Sequence, residues 1–129
     1  MIILDTHMWI WWVDDSPQLS DSNRKIIQKE EVNGLGLSTI SVWEVAKLHE
    51  KGRIGFTQPI DQWISHALEY PGIQLINLSP EISIASTQLP GDFHNDPADQ
   101  IIVATANVLG VPLLTTDRRI RKYQHVKLA

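Results

Sequence analysis

The chain has 129 residues, 43% of them hydrophobic, and a formal net charge of −4 at pH 7. That length suits one domain with a real core and is too short for two ordinary ones, so a single domain over residues 1–129 is expected. The absence of cysteine excludes disulfides, thiolate zinc sites and cysteine nucleophiles. The acidic balance argues against a general nucleic-acid coat, but it leaves room for a nuclease whose metal ions neutralise an acidic cleft.

The start, M-I-I-L-D, is a short apolar strand over residues 2–4 that meets an aspartate and lacks a basic region. No later run approaches the length of a membrane span, which predicts a soluble, cytoplasmic protein. Residues 8–13, M-W-I-W-W-V, read as a helix that is apolar at every position. One side can face a sheet, and another must be covered by a second helix of the same domain, by a partner's amphipathic segment, or by a second copy of the chain. Helical patterns follow at 21–31, 40–51, 60–69, 81–88 and 97–109, the last stopped by Gly110. Strands are expected at 36–38, 73–78 and 111–115, and weakly at 125–128. Short apolar strands alternating with helices indicate an α/β fold, a parallel sheet covered on both faces.

In such a sheet ligands bind beyond the carboxyl ends of the strands. Asp5 closes the first strand, and Asp117 follows the strand V-P-L-L-T-T. Glu44 lies one turn into the helix after the second strand, between Ile40 and Leu48 at i−4 and i+4. In H-N-D-P-A-D-Q-I-I-V-A-T-A, Asp96 reads as an N-cap before Pro97. Asp99 shares the inward stripe of Ile102, Val103 and Ala106 and therefore requires a cationic partner. Each acid taken alone has a local reading: Asp5 and Asp117 as caps, Glu44 as a helix residue paired with Lys47 or Lys51. Together, Asp5, Glu44, Asp99 and Asp117 can converge at one sheet edge. Converging carboxylates repel unless some protonate or a hard divalent cation with oxygen ligands joins them.

These motifs, M-I-I-L-D-T-H, L-S-T-I-S-V-W-E-V-A, H-N-D-P-A-D-Q-I-I-V-A-T-A and L-L-T-T-D-R-R-I, in this order across the chain, resemble the PIN-domain ribonucleases, in particular the VapC-type toxins of toxin–antitoxin operons. The resemblance implies catalytic and metal-binding roles for Asp5, Glu44, Asp99 and Asp117, with Asp96 as an additional metal-site acid and Thr115 and Thr6 as supporting hydroxyls. It implies a PIN-like fold, an α/β/α sandwich with a central five-stranded parallel sheet flanked by helices. It also implies Mg2+ or Mn2+ dependence, endonucleolytic RNA cleavage and a cognate antitoxin, and the expected state is a homodimer or a larger toxin–antitoxin assembly. Gln100 departs from the pattern, standing where similar toxins often carry arginine.

A carboxylate-bound ion lowers the pKa of a bound water, and the hydroxide attacks the phosphodiester in line. His7 and His94 lie near the acids in sequence, with local capping or packing as the alternative to a direct role. Arg118, Arg119, Arg121 and Lys122 form a basic segment beside Asp117, read either as a solvated face or as an RNA-binding contact. Lys47, Lys51 and Arg53 offer charge to an acidic antitoxin tail. The rivals fare worse: a haloacid-dehalogenase-type phosphatase wants an aspartate where His7 stands, and a receiver-like phosphoacceptor domain wants an acidic pair and a late lysine that are missing. A catalytically silent PIN-like partner-binding module is opposed by the intact acid set.

Overall fold

The computed structural model describes residues 1–129. Each strand feeds a capped helix. β1 (Ile2–Leu4) leads to α1 (Thr6–Val13), whose N-cap is Asp5, so this helix begins two residues earlier than the apolar run suggests. Next come α2 (Asp21–Glu30), β2 (Leu35–Ser38) and α3 (Thr39–Glu50), the last capped by Ser38 at the end of its own strand. They are followed by α4 (Ile60–Leu68), β3 (Ile73–Ile76) and α5 (Pro80–Ser86). α6 (Pro97–Leu109) is capped by Asp96 and stopped by Gly110, whose φ of 66° is left-handed and favours glycine. β4 (Leu113–Leu114) and a short α7 (Arg118–Arg121), capped by Asp117, complete the order.

The sheet runs β3-β2-β1-β4, and every pairing is parallel. It has four strands, not the five expected. The segment around His125–Leu128 reaches β4 only through a single parallel bridge, Leu113 to Leu128. β4 has just two residues, and only Leu113 exchanges backbone hydrogen bonds with the tail, through the Lys127 carbonyl and the Ala129 N–H.

The period-2 alternation of the strands separates two cores. Ile2, Leu4, Leu35, Leu37 and Leu114 pack on one face with Trp9 of α1, Ile27 of α2, Val45 of α3 and Trp63 of α4. Ile3 and Leu113 pack on the other face with Ile102, Val103 and Ala106 of α6, and with Ile120 of α7. The apolar slab of α1 is covered from within the chain. Trp9 is fully buried and donates from Nε1 to the Ala67 carbonyl at 3.3 Å. Its ring meets Trp63 edge-on at 5.2 Å, and Phe56 stacks on Trp63 at 4.3 Å. No helix is long and apolar enough to cross a membrane.

Candidate active site

Because the strands are parallel and each is followed closely by a helix start, several helix N-termini gather at the carboxyl edge of the sheet, and the acids come with them. Asp5, Glu44, Asp96, Asp99 and Asp117 line one cleft of 360 Å3, together with His7, Trp11, Thr116 and Arg119. All five carboxylates expected at the site are therefore at its wall.

Two of them are deeply set. Asp5 and Asp99 are each only 8% exposed. Asp5 accepts a hydrogen bond from the Thr115 hydroxyl at Oδ2 and one from the His7 backbone N–H at 3.3 Å. Thr115 in turn accepts from the Asp117 backbone N–H at 3.0 Å, so one hydroxyl links the ends of β1 and β4. Thr6 donates to Glu44 Oε1, and its oxygen lies 2.8 Å from Ser41 Oγ, which is fully buried beneath it. Both supporting threonines thus touch an acid of the cleft.

The opening of α6 divides its two aspartates. Asp96 Oδ1 accepts from the backbone N–H groups of Ala98 and Asp99 at 3.0 and 3.2 Å, an N-cap that also borders the cleft. Asp99 has its partners: His94 Nε2 lies 2.6 Å from Oδ2, and Arg119 Nη2 lies 3.5 Å from the same oxygen. Arg119 also stands 3.7 Å from Asp117 Oδ2, while Asp117 Oδ1 caps α7 through the N–H groups of Arg119 and Ile120. Gln100, in place of the arginine common in similar toxins, donates from Nε2 to the His94 carbonyl at 3.1 Å and so braces the segment that carries this histidine.

Burial and mutual repulsion act together on the acids. Desolvation pushes Asp5 and Asp99 above the usual carboxylate range, opposed by the hydrogen bonds from Thr115 and His94. Glu44 is pushed up to about 7, first by burial and then by the nearby charges of Asp99, Asp5 and Asp96, against the opposing bond from Thr6. No group of three or more histidine, aspartate or glutamate side chains closes on a single point as a ligand set. The donor chemistry nevertheless suits a hard divalent ion: the acids supply only oxygen, no thiolate is available, and the crowded negative charge would be relieved by a cation.

The four residues of the basic segment have different surroundings. Arg119 reaches into the cleft. Arg121 Nη1 donates to the Thr115 carbonyl at 3.0 Å and so supports the wall from behind. Arg118 is exposed on α7, and Lys122 borders a separate depression with Gly91 and His125. The sequence offers His94 a direct role and Arg119 an RNA contact without pairing either with Asp99, and it gives no sign of the Ser41 support. Only the demand of Asp99 for a cation points toward those two pairings.

Comparison with known proteins agrees with this fold. The family pattern described as the PIN domain matches residues 2–126, and the chain belongs to the PIN-domain family. It is 33% identical to Ribonuclease VapC22 of Mycobacterium tuberculosis over 124 residues, which cover 96% of this chain and 92% of that protein. Among solved structures it is similar to VapBC2 from Rickettsia felis bound to a promoter DNA fragment, with a TM-score of 0.73 at 16% identity over 100% of this chain and 98% of that one. A toxin–antitoxin complex from Klebsiella pneumoniae matches with a TM-score of 0.65 at 21% identity, over 98% of this chain and 95% of the other.

Proposed function

We propose that this chain is a metal-dependent endoribonuclease, the toxin of a toxin–antitoxin pair, acting in the cytoplasm as a homodimer that its antitoxin restrains. The observation that carries the reading is the wall of five carboxylates around one cleft, three of them held above their ordinary pKa by burial. The relatedness to a ribonuclease supplies the substrate class, and the likeness to toxin–antitoxin complexes supplies the partner.

Asp5, Glu44 and Asp99, with Asp117 and Asp96 beside them, are the residues that would hold Mg2+ or Mn2+. The ion supplies an acidified water and charge stabilisation at the phosphodiester. The chain's own groups do the rest. Thr115, Thr6 and His94 fix the carboxylates of Asp5, Glu44 and Asp99 by hydrogen bonds, so the site is ordered before substrate arrives. Arg119 brings a guanidinium to the cleft, the group best matched to a phosphate oxygen. Without the ion, burial and the neighbouring acids hold Glu44 up to about 7, and a bound cation would favour its charged, ligating form.

The test is cleavage of labelled RNA by the purified chain in Mg2+, in EDTA, and with Asp5→Asn. Cleavage is expected in Mg2+ alone, and the variant should lose a factor of about 100 or more. Equal activity in EDTA, or in the variant at equal stability, would refute the reading.

A further inference from the structure

A second groove, of 470 Å3, adjoins the acid cleft and shares Glu44 and Asp96 with it. Its character is different. α3 and its C-cap place Trp43, Lys47 and Lys51 at successive i, i+4 positions, one residue out of phase with the Ile40, Glu44, Leu48 row. Arg53 follows just past the helix end and lines the same groove. A chain with a net charge of −4 thus gathers three cations along one helix edge, directly beside its most acidic concavity. Lys51 and Arg53 make no ion pair, and Lys47 pairs only with exposed Glu50 at 2.8 Å, a contact cheaply exchanged for another anion. Trp43 is 55% exposed although it is the largest apolar side chain of the helix.

We propose that this groove binds the single-stranded RNA flank that leaves the acid cleft, with Lys47, Lys51 and Arg53 on its phosphates and Trp43 stacked on a base. The assignment rests on the nuclease reading and adds to it a strand path. Cations in a row with an exposed aromatic are the means by which proteins hold single strands without reading sequence. Charge complementarity alone also suits an acidic peptide, but the groove opens into a wall of carboxylates. Both are anions and both meet those carboxylates, but on the nuclease reading only RNA has a bond to place among them. A strand whose scissile phosphate lies in the cleft must leave it, and here an exit is bordered by cations. Because Glu44 and Trp43 are adjacent on one helix, the stacking position is fixed relative to the cut.

The experiment measures binding of a fluorescent oligouridylate of about ten nucleotides to the full chain carrying Asp5→Asn, which prevents cleavage, across a salt series. Adding Lys47→Gln, Lys51→Gln and Arg53→Gln is expected to flatten the slope of log affinity against log salt by about 2, at roughly 0.7 for each phosphate that is no longer neutralised. Lys51→Gln with Arg53→Gln, which spares the Lys47–Glu50 pair, should give about two-thirds of that change. Trp43→Leu should weaken binding about tenfold at every salt concentration with the slope unchanged. Thermal midpoints of all variants serve as the control for folding. An unchanged slope and affinity in the triple variant overturns the proposal, as does the absence of RNA binding by the Asp5→Asn parent. Loss of binding to an oligoglutamate peptide with RNA binding intact would assign the groove to an acidic protein partner and overturn it too. None of these outcomes touches the nuclease reading, which stands or falls on cleavage by the unmodified chain in Mg2+ against EDTA.

Discussion

At its N-terminus α1 gives Asp5 and Thr6 to the acid cleft, and one turn later it gives Trp9 to the larger core. The two regions are contiguous and built on opposite energetics. In the core most aromatic polar groups find a partner: Trp9 Nε1 donates to the Ala67 carbonyl, Trp63 Nε1 to Asp14 Oδ1 at 3.0 Å, and Tyr70 Oη to the Val13 carbonyl at 3.0 Å. Trp12 is the exception, its Nε1 buried without a partner. In the cleft, by contrast, carboxylates are buried beside one another and their charged forms are disfavoured. The core stabilises the fold, and the cleft draws on that stability to keep charge where water would otherwise disperse it.

The largest effect should come from breaking the core side. Trp9→Ala removes a fully buried indole together with its bond to Ala67, and is expected to cost about 3–5 kcal/mol. Urea unfolding measures the loss, while cleavage per folded molecule should persist. Abolished cleavage in a sample shown to be folded would mean that the core and the cleft are not separable in this way.

The next effect has the opposite sign. The Glu44 pKa is about 7 in the folded chain against an ordinary 4.5, so the folded state retains a proton that the unfolded state gives up between these values. Stability therefore falls as pH rises from 4.5 through 7, and the penalty is complete above 7. Glu44→Gln keeps an acceptor for Thr6 and removes the charge. It should stabilise the chain by on the order of 2 kcal/mol at pH 8, after allowance for partial solvent contact, and by almost nothing at pH 4. Unfolding curves at the two pH values check this, and the variant should be inactive on RNA. A destabilised variant at pH 8 would show that the carboxylate is not a burden there.

The smallest effect sharpens the division within α6. Asp96→Asn should cost less than about 0.5 kcal/mol, because asparagine also caps well, and much of the activity should remain. Asp99→Asn should remove activity without unfolding the chain. Equal losses from both, at equal stability, would move Asp96 from cap to catalytic group.

Most of this division is legible in the sequence. Periodicity locates each helix from residue 21 to residue 109 to within a residue or two, because their apolar stripes and caps are local features. The early start of α1 escapes it because Thr6 and His7 are polar and add nothing to the apolar run, although Asp5, open to reading as a cap, does cap the helix through the His7 N–H. The fifth strand is absent because a segment can carry a strand pattern and still find only one residue to pair with. Among the site residues, the five acids can be placed from strand ends and helix faces. The links of Asp99 to His94 and Arg119, and of Arg121 to Thr115, depend on how loops and a short terminal helix fold back, which no local pattern encodes. The apolar slab of α1 leaves its covering open, and α4 supplies it through Trp63.

Thermal unfolding at pH 7.5 with increasing Mn2+, without RNA, tests most directly whether the buried carboxylates are arranged for a divalent cation. If Asp5, Glu44 and Asp99 hold the ion, the midpoint of the unmodified chain rises with metal, by an amount equivalent to about 2.7 kcal/mol at a hundredfold excess over Kd. The chain carrying both Asp5→Asn and Asp99→Asn should begin more stable and respond little. A midpoint indifferent to Mn2+ in the unmodified chain, or an equal rise in the double variant, would contradict that arrangement.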